Sequence, residues 1–219
     1  MDWIRARKPE QVELRRQAIL QAAGRLFADR GYDAVTLDGI ARGAGTAKSN
    51  LYRYFASKEA IYTHIYLHEM RLWADCFVQT TADVPVGDVE RFAAVAAHSV
   101  NDCPRLAELM TLLAGVLERN LAEEQAVPFK LGIAALLEQP VAAVRRVFPI
   151  LCAERAQGLF TIMHALVAGL YPMQAVAERL EPHLAQHGLC RMVVRFLPAF
   201  QEALRIYLNG LLNEENPHA

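Results

Sequence analysis

Between residues 46 and 58 the chain collects side chains suited to a polyanion. Thr46, Lys48, Ser49, Asn50 and Arg53 share one face of a short helical pattern, and that face carries no acid. Solvated helix faces ordinarily mix both signs of charge. An acid-free face of hydroxyl, amide and cationic groups suits the phosphate-rich surface of DNA. Lysine and asparagine can hydrogen-bond base edges in a major groove. Tyr52, Tyr54 and Lys58 bring two hydroxyls and an ammonium within reach of backbone phosphates. Ser57 opens a further helix, whose free N–H groups and dipole favour another phosphate.

Other chemistries find less support. His64 and His68 stand four apart, as do His183 and His187, a spacing that can hold a metal on one helix face. No third ligand is fixed by spacing and no H-E-x-x-H occurs, so these read as incidental surface histidines and no metal or other cofactor is expected. Cys76, Cys103, Cys152 and Cys190 form no CxxC pair and read as reduced core thiols. There is no G-x-S-x-G, P-loop or G-x-G-x-x-G, and nothing in the chain suggests an enzyme.

The elements that must position the basic face are helical. The chain has 219 residues, 53% of them hydrophobic, with only 12 glycines and 10 prolines, which disfavours disorder and turn-rich β architectures. Its net charge of −1 hides an asymmetry: residues 1–60 hold 11 basic and 7 acidic side chains, and residues 61–219 hold 12 and 17. Three of the four lysines, Lys8, Lys48 and Lys58, lie in that basic head. Ala18, Ile19, Ala22, Leu26 and Phe27 form the stripe of a first helix over 15–30. Gly31 reads as its left-handed cap, with Tyr32 packing back on the last turn. Thr36 caps a short helix to about Arg42, Gly43-Ala44-Gly45 makes a tight turn, and a second short helix fits 47–54. Ser57 then caps a long helix. This is a helix-turn-helix arrangement, with Leu37, Ile40, Ala44, Leu51 and Phe55 as its small core.

The run from Arg16 to Glu59 resembles the N-terminal DNA-binding domain of the TetR family of bacterial transcriptional regulators. Ile19 to Phe27 match its I-L-x-A-A-x-x-L-F, Gly31-Tyr32 its G-[YF], Thr36 its threonine, Ile40-Ala41 its I-A, and Leu51 to Glu59 its L-Y-x-[HY]-F-x-[SN]-K-E without a break. Two departures stand out. Gly39 replaces the family's frequent acid before Ile-Ala, which should weaken the Thr36 cap. Ala47 replaces its frequent serine, leaving Thr46 to supply a hydroxyl. The resemblance adds Thr36 and Ala47 to the DNA-contacting set of Thr46, Lys48, Ser49, Asn50, Tyr52, Arg53, Tyr54 and Lys58.

The remainder reads as helix after helix: 88–101, 104–119, 123–139, 149–170, 174–187 and 190–213. Pro104, Pro140 and Pro149 suit first turns, Asn120 an end cap, while Pro128, Pro182 and Pro198 should start, end or kink helices. The expected fold is all-α: a three-helix helix-turn-helix head over 1–60, joined by a long helix to a helical ligand-binding and dimerisation domain over 61–219. Phe92, Met110, Phe129, Phe160, Met163 and His164 are candidates for the wall of a largely apolar effector cavity. The helices over 149–170 and 190–213 are apolar around much of their circumference and are the candidate homodimer interface. The resemblance implies the same four-helix bundle, and a repressor released from a palindromic double-stranded DNA operator when a small molecule shifts the long helix. The competing reading is a helical small-molecule binding protein or enzyme whose head is only structural. The charged start, Met1 to Lys8, shows no signal peptide, and the apolar run 159–170 is too short to span a bilayer, so a cytoplasmic protein without membrane contact is expected.

Overall fold

The computed structural model of the chain describes residues 9–215; the reading of Met1 to Lys8 as free of an export signal lies outside the described residues. Among these, regular structure is entirely helical: α1 (Pro9–Ala34), α2 (Leu37–Gly43), α3 (Lys48–Leu51), α4 (Lys58–Thr81), α5 (Val89–Asn101), α6 (Pro104–Leu112), α7 (Glu123–Val147), α8 (Ala153–Gln186) and α9 (Phe196–Glu215). The expected head/body division at residue 60 falls inside the first turn of α4.

In the head, sequence punctuation acts as the chemistry requires. Thr36 accepts a hydrogen bond from the Gly39 N–H at 3.1 Å and Ser57 one from Ala60 at 3.1 Å, so both are true N-caps. Gly45, at φ 63°, closes α2: its N–H bonds Arg42 O and that of Thr46 bonds Ala41 O, the paired pattern that satisfies the last carbonyls of a helix. Gly31 departs from expectation. Its φ of 71° is positive, but its ψ of 169° is extended, a combination open essentially only to glycine. The helical path of α1 is therefore broken at Gly31, and Tyr32, beyond the break, packs on Tyr62 of α4 instead of on the turn before it.

The body corrects several helix boundaries. Expected as one helix over 104–119, the segment is α6 followed by a widened π-turn over Leu113–Leu117, around Gly115, and a 3-10 turn, Glu118–Asn120. Asn120 does close it, its side-chain amide donating to Val116 O at 2.8 Å. Pro140 does not open a helix; α7 runs through both Pro128 and Pro140. Likewise the segments expected over 149–170 and 174–187 merge into one helix, α8, which begins only at Ala153, leaving Pro149 in the turn before it, and runs through Pro172 and Pro182. A proline inside a helix costs about 3 kcal/mol; in α7 Pro140 is itself buried beside Ala143, Val144 and Val147, a burial that offsets part of its cost. The last segment starts later than expected: a 3-10 turn at Cys190–Met192 precedes α9, and Pro198 sits in its first turn.

A single apolar core runs from Ile19 in α1 to Leu211 in α9. The long helix α4 threads it. Tyr62 and Ile65 belong to the head side, whereas Met70, Trp73 and Phe77 reach into the body, where Phe77 meets Phe92 and Phe160 edge-on. The thiols lie elsewhere than expected: Cys76, Cys152 and Cys190 are exposed and Cys103 is half-buried, all four free. Cys152 and Cys103 occupy N-cap positions, where the chain enters a helix at the surface.

Candidate nucleic-acid interface and effector cavity

The helix-turn-helix is held from behind. Arg15 of α1 donates to Ala44 O at 3.2 Å, bracing the turn, and Arg16 reaches Tyr54 O at 3.5 Å while its guanidinium lies over the Phe55 ring, 4.7 Å from the centroid. Arg16 also donates to His64 Nε2 at 3.1 Å; burial and this guanidinium push the His64 pKa down, consistent with a neutral acceptor ring. These arginines are bracing positions that the sequence did not single out. Their signal was weak: two adjacent cations near the start of an apolar stripe.

The paired motifs Gly31-Tyr32 and Lys58-Glu59 turn out to be two halves of one joint. The Tyr32 hydroxyl donates to Glu59 Oε1 at 2.8 Å. The Lys58 ammonium donates to Tyr32 O at 2.9 Å and Val35 O at 3.0 Å, and lies 3.7 Å from the centre of the Tyr32 ring. Beneath them the buried Tyr62 hydroxyl donates to Ala23 O at 3.2 Å. Lys58, expected on a phosphate, thus has its ammonium engaged with two carbonyls and a ring: the N-terminus of α4 needed a cation there to tie down the loop between α1 and α2.

On the outer side, Ala47, Lys48, Ser49, Tyr52 and Arg53 are exposed, while Thr46, Asn50 and Tyr54 are half-buried. The α-helical part is only the four residues of α3, shorter than the expected 47–54; turns through Tyr54 continue the path. Asn50 donates its amide to Thr46 Oγ1 at 2.8 Å, so both polar groups are mutually occupied. Lys48 pairs with Asp38 of α2 at 3.0 Å, both side chains being about half exposed, and this bond raises the lysine's pKa. An acid therefore does approach the basic face, from the neighbouring helix. Such an exposed pair is worth little and exchanges readily for phosphate. Thr36 is exposed, but its hydroxyl serves the cap.

A cavity of about 300 Å³ lies in the body between α4, α6, α7 and α8. Met110, Phe160, Met163 and His164 line it as expected, joined by Tyr66, Met70 and Trp73 of α4. Two expected wall residues do not line it. Phe92 is fully buried between Phe77 and Phe148, at 6.0 and 5.1 Å, because its position on α5 faces the core. Phe129 lies behind the wall, edge-on to Tyr66 at 5.6 Å. The polar wall residues Glu118 and Lys130 were also missed; Glu118 arrives there through the π-turn, which helical periodicity does not anticipate. A larger cleft of about 560 Å³ runs between α1, α4 and α6, but charges of both signs line it, including the Arg105–Glu69 pair at 2.9 Å, and it reads as the seam between head and body. Among the described residues no three His, Cys, Asp or Glu side chains converge on a metal-binding geometry.

Comparison with known proteins agrees with this architecture. Residues 19–65 match the family described as bacterial regulatory proteins, tetR family, and residues 67–215 match the one described as tetracyclin repressor-like, C-terminal domain. An uncharacterised HTH-type transcriptional regulator of Mycobacterium tuberculosis is 37% identical over 114 residues, 50% of this chain and 54% of that protein. The HTH-type transcriptional regulator RutR of Escherichia coli is 30% identical over 112 residues, 50% of this chain and 53% of that protein. The chain spans about half the length of the curated relatives it matches. Among solved structures, a possible TetR family regulator from Streptomyces coelicolor superposes with a TM-score of 0.57 at 20% identity, over 90% of this chain and 98% of that one. PfmR, a TetR family regulator from Thermus thermophilus, gives 0.50 at 20% identity, over 89% and 97%. The C-terminal match alone takes in more than half of the sequence, and with the helix-turn-helix ahead of it the chain belongs to the tetR family of bacterial regulatory proteins.

Proposed function

We propose that this protein is a cytoplasmic transcriptional repressor that binds a near-palindromic DNA operator as a homodimer and leaves it when a small molecule enters the body cavity. One observation carries the reading: a single helix, α4, holds the head at Lys58, Glu59 and Tyr62 and lines the cavity at Tyr66, Met70 and Trp73. A ligand that displaces α4 at the cavity must move the head with it. Two heads must sit about 34–36 Å apart, or somewhat more, to enter successive major grooves, so a small tilt in each takes them out of register. The coupling need be only about 1–3 kcal/mol.

In this reading Lys48, Ser49, Tyr52 and Arg53 meet the DNA directly, Lys48 after leaving Asp38. Asn50 and Thr46 act as a pair, and Lys58 positions the head. The dimer forms through α8 and α9. Met173, Val176 and Leu180 on α8 and Ile206 on α9 are 38–58% exposed, and only 22% of the most apolar window of α8 is buried within the subunit. By length and hydropathy α7 and α8 could each cross a bilayer. In this family's fold such apolar helix surface is instead covered by a second subunit. The test is binding of the full chain to duplex DNA enriched from a randomised pool, titrated with salt. A repressor gives sequence-selective binding whose logarithm falls linearly with log salt. Absence of any selected sequence would leave the head a structural module.

A further inference from the structure

The effector cavity is polar at one end, and the charges there are already paired. Lys130 Nζ lies 2.5 Å from Glu118 Oε1. It approaches off the hydrogen-bonding direction, so that buried carboxylate oxygen has a compensating charge but no aligned donor. Tyr66, 2% exposed, lines the same cavity close enough to Glu118 for that carboxylate to act on its hydroxyl, which has no hydrogen-bond partner among the described residues. His164 completes the polar end; burial pushes its pKa down, with Glu118 and Lys130 acting on it in opposite directions, so its ring is neutral near pH 7. The rest of the wall is mainly apolar: aliphatic residues such as Leu106 and Ile133, Trp73, whose indole N–H is already satisfied by Ser99 at 3.1 Å, Phe160, and Met70, Met110 and Met163.

We propose that the cavity selects a compact, uncharged aromatic or alicyclic molecule bearing one hydroxyl or primary amide, which donates to Glu118 and accepts from Tyr66. This deepens, and rests on, the reading of the cavity as an effector site. An anion drawn to Lys130 would face Glu118 as well, and a cation drawn to Glu118 would face Lys130. The first leaves the less exposed Glu118 uncompensated, and the second must displace Lys130 from its pair into solvent, so neither ion gains a free countercharge. A neutral group that both donates and accepts leaves the pair intact and fills the two vacant hydrogen-bonding positions. The thioethers adapt their shape to a ring and favour sulfur–aromatic contact. At about 300 Å³ the space is at the small end of ligand sites, which restricts the molecule to one or two rings.

The experiment uses three probes on one ring system, 2-naphthol, 2-naphthoate and 2-naphthylmethylammonium, titrated calorimetrically into the full-length protein at pH 7. Naphthol is expected to bind at least tenfold more tightly than either ion. Lys130→Met should raise the affinity for the ammonium, Glu118→Gln should raise it for the carboxylate, and Tyr66→Phe should weaken naphthol several-fold. An ion binding the unaltered protein as tightly as naphthol, or no probe binding at millimolar concentration, overturns the proposal. Release of pool-selected duplex DNA is measured separately in the same samples. If naphthol binds preferentially without releasing DNA, the ligand class stands and the effector reading fails. If an ion binds preferentially and releases DNA, the effector reading stands and the ligand class fails.

Discussion

Arg53 and Lys58 are five residues apart, both cationic and both within the matched motif, yet they face different partners. Arg53 is exposed on the outer side of the helix-turn-helix, whereas the Lys58 ammonium bonds two carbonyls of the loop behind it. Arg53→Ala should lower DNA affinity and reduce the log–log salt slope by about one per head, with the melting temperature unchanged. Lys58→Met should do the reverse in the absence of DNA. It removes two charge-assisted hydrogen bonds and should cost about 1–2 kcal/mol, less than two fully buried bonds of this kind because the group is half-exposed and water replaces them in part. Thermal denaturation of the two variants beside a salt series separates them. His164 supplies a pH signature. Burial lowers its folded-state pKa, so as pH falls through about 6.5 the unfolded chain takes up a proton that the folded one refuses, and stability falls on acidification. His164→Gln should flatten the denaturation midpoint between pH 7 and 5; an unchanged slope would mean that the ring is not held neutral.

At the level of elements, the joint between α1 and α4 sets the angle of the head. Gly31 turns the chain out of α1 in a conformation closed to other residues, and only that exit brings Tyr32 onto Tyr62 and Glu59. Nothing lies within 4 Å of a Cβ added there, so the cost of Gly31→Ala is backbone strain alone. It should destabilise the protein by about 1–3 kcal/mol. Because Tyr32 is displaced with it, DNA affinity should fall although residue 31 is remote from α3. Gly45 at the end of α2 is the second such position, and the guanidinium of Arg15 braces the turn it makes. The helix-turn-helix is therefore a small element kept rigid by longer neighbours, as a site built on four α-helical residues must be.

For the whole molecule, the proposed assembly rests on the apolar surface of α8 and α9. Ile206 on α9 is 58% exposed, which costs little for one residue, but Met173, Val176 and Leu180 on α8 add to it. Sedimentation should give a species of twice the 24.4 kDa subunit mass at micromolar concentration. Ile206→Glu should yield folded monomer, with the helical circular dichroism signal retained and operator affinity sharply reduced, since the second head is no longer tethered. A monomer for the unaltered chain would remove the proposed interface.

The all-helical class, the helix-turn-helix and its caps were legible in the sequence because each rests on local rules. Apolar spacing at Ile19, Ala22 and Phe27 marks a buried stripe, Thr36 and Ser57 can satisfy free N–H groups within three residues, and Gly45 alone suits the left-handed turn. What residues contact across the fold was not legible. Phe92 and Phe160 have the same side chain, and only the packing of α5 and α8 puts one in the core and the other on the cavity wall. Lys48 and Lys58 are alike in sequence, and only the approach of α2 and of the Tyr32 loop pairs the first with Asp38 and the second with carbonyls. The prolines of α7 and α8 read as helix boundaries because a local rule penalises them; both helices nevertheless run through them, Pro140 being buried with Ala143, Val144 and Val147, a packing that the local rule does not contain. Local sequence determined which elements form, and tertiary structure decided which side chains remain available to a ligand or to DNA, because that depends on packing among parts of the chain far apart in sequence.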